Sequence, residues 1–347
     1  MDAYEVLSAL TAAPGTSGSE EGAALVAEKL FREFTDDVWR DPLGNVYARV
    51  GSGRPVVLIT AHMDEIGMCV TSIEPNGMLR VRQVGGIDPR VLPGSEVTVH
   101  GTEPIPGIIG AVPPHLTGGD TKAAYKLEEL TVDTGYPVED VEKMIGVGDI
   151  VTFAPVAPTK LKNDLVACKT MDDRALITVE LETLKRLAKR KYGCTVIFCA
   201  TVQEEVGCFG AKIAGEHIAA DISVAMDVSH APTPDSPAFR TTPVDKAAMT
   251  RGGNIHPVLY EWLSGAADRA RVPFETIVTM GATGTDARAL QLARDGVPTC
   301  LLELPLKYMH TSVEVGSLRV VGYCADILTE FLCSIGDDWE EKICWND

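Results

Sequence analysis

The spacing of apolar positions changes twice along the chain and divides it into three stretches. Met1–Leu10 reads as a short helix, and Pro14-Gly-Thr-Ser-Gly-Ser-Glu20 breaks it. Ala24, Leu25, Ala27, Leu30 and Phe31 then recur at helical spacing. Ser17 and Glu20 have the spacing of a capping box ahead of that helix. Val38–Val50 alternates like a strand interrupted by a turn at Leu43-Gly-Asn45. Pro55–Thr60 is a continuous apolar run, as a central strand covered on both faces requires.

From about Gly67 to Pro158 the pattern shortens into strand-like pieces separated by turn residues: Met78–Val84, Glu96–His100, Ile108–Val112 and Asp149–Phe153. Asn76-Gly77 is a hairpin signal. The chain is therefore expected to hold a small β-rich domain, residues 67–162, inserted into a larger domain made of 1–66 and 163–347. After Asn163 the longer periods return. Helices are expected over Arg174–Ala188, Asn254–Ala270, Thr285–Ala293 and Val320–Ser334. They alternate with strands at Thr195–Thr201, Ile222–Met226, Phe274–Thr279 and Thr299–Leu304. That alternation specifies an α/β fold, a mixed, mostly parallel sheet sandwiched by helices. No G-x-G-x-x-G or Walker loop follows the first buried strand, which argues against a nucleotide enzyme.

Composition narrows this picture. A length of 347 residues with 45% hydrophobic content suits one large domain plus a smaller one. No apolar run approaches the roughly 18 residues of a membrane span. Met1–Leu10 carries Asp2 and Glu5 and lacks the basic and apolar regions of a signal peptide. Nine cysteines are scattered singly with no C-x-x-C pair, which reads as free thiols in a reducing compartment, so a cytoplasmic location is expected. A net charge of -18 argues against a nucleic-acid partner. The same charge suits metal cations and amine-bearing substrates, and simple solubility explains it equally well.

Polar residues gather after the expected buried strands, where open α/β sheets bind ligands. In Thr60-Ala-His62-Met-Asp64, His62 could ligate a metal with Asp64 orienting it, or the two could form a structural hydrogen-bonded pair. Thr170-Met-Asp172-Asp173-Arg174 precedes a helix. Its paired acids could be first-turn charges, or one could bridge two metals while the other pairs with Arg174. In Gln203-Glu204-Glu205, read as an extended strand end, one glutamate could bind metal while its neighbour serves as general base; a solvated loop is the alternative, which fits poorly beside Gly207, Gly210 and Ala211. Asp227 ends a strand as a candidate terminal ligand or turn cap. His310 lies beyond the last strand as a candidate ligand or packed residue. Taken together, two histidines and several carboxylates are the donor set that suits zinc, cobalt or manganese. At a two-metal site a bridging water is acidified and a glutamate takes its proton, chemistry that hydrolyses amides. His230, near Asp227, is a weaker neighbour of the site, and Cys208 reads as a small packed residue.

These motifs, in this order, resemble the cocatalytic metallo-aminopeptidases that include the tetrahedral (TET) aminopeptidases, bacterial glutamyl aminopeptidase and proteins called endoglucanase M. The resemblance is carried by AHMDEIG (Ala61–Gly67), MDDRAL (Met171–Leu176), VQEEVGCFGA (Val202–Ala211) and PLKYMHTSVEV (Pro305–Val315). DPRVLPG, RGGNIHP and GTDARALQLARDGVPT add to it. It implies a phosphorylase/hydrolase-like catalytic domain with two divalent metal ions per subunit. His62 and Asp227 would hold one metal and Glu205 and His310 the other, with Asp172 bridging, Glu204 as general base and Asp64 orienting His62. It further implies a PDZ-like dimerisation insert, a homo-oligomer such as a hollow dodecamer, peptide substrates with a free N-terminus, and neither nucleic acid nor membrane as partner. Thr283-Gly-Thr-Asp286 and Arg288 depart from the usual family pattern and leave side-chain preference open. Two other readings are a metal-dependent deacylase or related hydrolase and a non-catalytic assembly protein on the same scaffold.

Overall fold

The computed structural model describes residues 1–116, 125–234 and 236–343. Residues 117–124, in the expected insert, and 344–347, in the expected large domain, lie outside them. An eight-stranded sheet organises the larger part. Its order is Val38–Arg40, Val46–Gly51, Thr195–Thr201, Val56–His62, Ile222–His230, Thr299–Leu306, Ala247–Gly252 and Phe274–Thr279. The four central strands, Thr195–Thr201 through Thr299–Leu306, run parallel. Val46–Gly51 and Ala247–Gly252 flank them antiparallel.

Nearly every residue of the central strands is buried, because helices cover both faces. Met171–Leu187, Leu318–Cys333 and Pro257–Ala270 pack into one layer, while Phe209–His217 and Ala287–Leu290 pack together against the sheet. The apolar runs read from the sequence are thus the strands that need burial on two sides. Their carboxyl ends emerge together, and there the chain carries its unusual polar residues.

Directly after Val56–His62 the chain enters a closed six-stranded barrel, ordered Gly67–Ile73, Leu79–Val84, Val132–Asp133, Pro104–Ile109, Glu96–His100 and Ile150–Phe153. The barrel has its own core, with Met68, Val81, Val97, Val99, Ile109 and Val151 buried inside it. Asn76-Gly77 sits at the first hairpin turn, with Gly77 at φ +84°. The fold class expected from sequence is the one observed. Several elements differ. The strand expected at Ile108–Val112 is Pro104–Ile109, whose prolines occupy exposed positions of the alternation and break the apolar signal. Helix Thr285–Ala293 contracts to Ala287–Leu290. Helix Asn254–Ala270 starts at Pro257, where a fixed φ favours the first turn. Among the described residues, no helix is long and apolar enough to cross a membrane.

Candidate metal centre

His62 closes its strand at 2% exposure, and two contacts fix its ring. Nδ1 lies 3.1 Å from the backbone carbonyl of Asp64, while Nε2 faces Asp172 Oδ1 at 3.0 Å. With the proton on Nδ1 and donated to that carbonyl, the Nε2 lone pair points into the site. The Asp64 carboxylate is farther from Nδ1, at 3.5 Å. It accepts instead from the Glu204 and Glu205 backbone amides, at 3.0 and 3.2 Å, and from Ser17 Oγ at 2.6 Å. Asp64 therefore holds the glutamate turn as well as flanking the histidine. Ser17 is not a capping residue, because its hydroxyl is committed to Asp64 and the helix N-cap is Glu20.

Asp172 stands between two imidazoles. Its Oδ1 faces His62 Nε2, and its Oδ2 lies 3.2 Å from His310 Nε2. The same His310 nitrogen lies 3.2 Å from Glu205 Oε1. His310 sits on a loop in the left-handed region, at φ +62°, and its Nδ1 donates to the Gly86 carbonyl at 2.7 Å. Glu204 Oε2 lies 3.9 Å from His62 Nε2, so the two neighbouring glutamates face different histidines. The extended geometry expected at Glu204-Glu205 does not occur. The segment is a turn, with the Gly207 and Cys208 amides bonded to the Glu204 carbonyl, and both side chains face the site with little exposure.

Asp227 joins from Ile222–His230, and oxygens of Asp172, Asp173 and Asp227 lie within 4.8 Å of one another. Donor atoms of His62, Asp172 and Glu205 form a second set within the same distance. Asp173 does not pair with Arg174. The Arg174 guanidinium is fully buried and bonds the Met63, Leu10 and Ala13 carbonyls and Glu65. Asp173 accepts from the His62 amide through Oδ2, and its buried Oδ1 has no hydrogen-bond partner among the described residues.

The electrostatics describe a site short of positive charge. Burial pushes Glu204 up to about 8, with Asp286 and Glu205 adding to it and His62 opposing. Burial and the nearby Glu204 and Asp172 carboxylates push Asp227 well above the usual carboxylate range. For both histidines burial works against the charged ring, but hydrogen bonds to carboxylates prevail. His62 is raised by Asp172 and Asp64, and His310 reaches about 11 through Asp172 and Glu205. Asp172 is held low, because both imidazoles outweigh its burial. Two imidazoles, converging carboxylates, an orphaned buried oxygen and surplus negative charge fit divalent cations with nitrogen and oxygen ligands.

Sequence reasoning missed Glu314. This residue is 2% exposed and accepts from the Asp172 and His310 amides, at 3.1 and 2.8 Å, so one carboxylate fixes two of the converging residues. Its motif had been noted, but no local pattern distinguished it from a strand residue. His230 is exposed and lines the neighbouring cleft.

Fold and site together define a metal-dependent peptidase. The family profile described as M42 glutamyl aminopeptidase matches residues 44–327, and the chain belongs to that family of aminopeptidases. It is 32% identical over 327 residues to the lysyl aminopeptidase of Pyrococcus furiosus, covering 92% of this chain and 93% of that protein. An aminopeptidase from the archaeon Desulfurococcus kamchatkensis has a similar structure, with a TM-score of 0.91, 31% identity and coverage of 98% and 97% of the two chains. The TET1 peptidase of Pyrococcus horikoshii, which can assemble into a tetrahedron or a large octahedral shell, gives 0.84 at 30% identity and covers 96% and 100%.

Proposed function

We propose that this aminopeptidase uses two divalent cations, zinc, cobalt or manganese, held by His62 and Asp227 on one side and Glu205 and His310 on the other, with Asp172 shared. The observation that carries this reading is the position of Asp172, each of whose oxygens faces a different imidazole. When bound, such cations polarise the scissile carbonyl and acidify water. Glu204 takes a proton from the attacking water and returns it to the leaving amine. Burial raises its basicity, and Asp64 holds its backbone in place. The surrounding carboxylates receive the substrate's free α-ammonium, which restricts cleavage to N-termini.

We further read the chain as a cytoplasmic self-assembling enzyme. The described cysteines are free, and similar structures include a TET1 peptidase dodecamer and one that can assemble into a tetrahedron. This supports a dodecamer, which we read as built through the barrel. Metal analysis, chelation and a pair of peptides test the chemistry. Activity should vanish on chelation, return with a divalent transition metal, and be absent on the N-acetylated form of a cleaved peptide. Equal rates on free and acetylated peptides would favour a deacylase or endopeptidase instead.

A further inference from the structure

A cleft of ≈ 450 Å³ opens beside the converging acids, and its floor can be read from strand register. Asp227 pairs with Glu303 across parallel strands, Glu303 with Ala248, and Thr250 with Ile277. Paired residues project from the same face, as do residues two apart on one strand. Asp227, Glu303, Thr250 and Ile277 therefore form a row on one face, with Leu301 alongside, leading away from Asp172. Strands lie about 4.8 Å apart, so the row continues well past the place where an α-ammonium beside Asp227 would sit. That reach is the length of a long side chain.

Glu303 stands out in this row. It is 6% exposed and hydrogen-bonded to Thr250 Oγ1, and among the described residues no Lys, Arg or His side chain pairs with it. A buried carboxylate without a cation is costly unless a partner arrives. Leu301 and Ile277 offer apolar walls to an alkyl stem leading toward it. Arg240 lines the same cleft, but it is exposed, so solvent screens its pull on an acidic side chain.

We propose that Glu303 is the specificity-determining residue of this site and selects peptides whose N-terminal residue is lysine or arginine. This rests on the aminopeptidase reading above. The substrate ammonium or guanidinium meets the Glu303 carboxylate, while Thr250 keeps that carboxylate aimed into the cleft.

The test uses the metal-loaded wild type with Glu303→Gln, which keeps the shape and the Thr250 hydrogen bond, and Thr250→Val, which removes the aiming contact. Each is assayed on lysyl-, arginyl-, leucyl- and glutamyl-anilides, and binding of the products L-lysine and L-leucine is measured by calorimetry. The wild type should prefer lysyl and arginyl substrates over glutamyl ones by at least tenfold. Glu303→Gln should lower kcat/KM for the two basic substrates about 10–100-fold and weaken L-lysine binding, the loss expected of a charge-assisted contact. Leucyl activity should change less than about threefold, and Thr250→Val should show a smaller loss of the same selectivity. A wild type that prefers leucyl or glutamyl substrates, or variants that lower all substrates equally, would overturn the assignment while leaving the aminopeptidase intact. Hydrolysis of none of the four anilides by the metal-loaded wild type would overturn both readings.

Discussion

His310 Nδ1 and the carbonyl oxygen of Gly86 are 2.7 Å apart although 224 residues separate them. Gly86 lies on the loop that leaves the barrel strand Leu79–Val84, so a barrel loop supplies the acceptor that sets the His310 ring. With its Nδ1 proton committed there, Nε2 is free to face Asp172 and Glu205. Contacts of this kind typically contribute 10–100-fold to metal affinity. A Cβ built on Gly86 would come within 3.1 Å of His310 Nδ1. Gly86→Ala should therefore weaken one of two bound cations about 10–100-fold, with activity recovering at high metal concentration. Metal titration of the variant checks this, and unchanged affinity for both cations would show that the contact does not position the ring.

Glu204 and Glu205 are neighbours whose carboxylates face different histidines, at 3.9 and 3.2 Å. Glu204→Gln keeps size and removes the proton acceptor, so metal content should persist while kcat falls roughly 10²–10⁴-fold. Glu205→Gln should lose metal and be partly rescued by excess metal. Stoichiometry and rate measured on both variants decide the matter. Metal loss in Glu204→Gln alone would reverse the two roles.

The sheet was legible because burial on both faces demands continuous apolar runs, and Pro55–Thr60 and Thr195–Thr201 have them. The candidate site was legible because His62, Asp172, Glu204, Asp227 and His310 follow strands or precede a helix, positions a parallel sheet brings to one end. What stayed hidden was partnership. Ser17 looked like a cap but bonds Asp64, 47 residues away. Arg174 looked like the partner of Asp173 but is taken up by three carbonyls and Glu65. Glu314 and Gly86 reach the site only through tertiary packing, which no local spacing encodes. The geometry of Glu204-Glu205 was misjudged because the turn begins earlier, at Gln203 with φ +57°.

The assembly proposed above has a candidate surface on the barrel. Ile108 and Val147, at 55% and 71%, are among several large apolar residues exposed on this stretch, with Val112 and Val156. Light scattering should find a particle several times larger than the 37.1 kDa chain. Ile108→Glu, which sets a charge on that face, should shift the population to smaller species without loss of fold by circular dichroism. A monomeric wild type at working concentration would count against assembly.

The acid cluster makes a signed prediction for metal-free protein. Burial raises Glu204 and Glu314 from the ordinary 4.5 to about 8, and Glu205 and Asp227 are raised by burial as well. Carboxylate contacts raise His310 from 6.5 to about 11 against its burial. Each of these groups holds a proton in the folded state at a pH where the unfolded chain has released it. The folded state thus binds more protons, and stability must fall as pH rises. For Glu204 and Glu314 the loss begins near 4.5 and is complete above about 8, and Glu205 and Asp227 act in the same direction. The histidines continue the same trend above 6.5. Asp172 and Asp64 are lowered and act with the opposite sign, but only below 3.8. The Tm of chelated protein should therefore drop steadily from about pH 5 to about pH 8.5. Metal binding displaces the same protons, so the stabilisation by added zinc or cobalt should grow over that window. Calorimetry in buffers of different ionisation enthalpy should register proton release on binding. A metal-free Tm that rises with pH, or metal binding without proton release, would show that these groups are already ionised before the cations arrive.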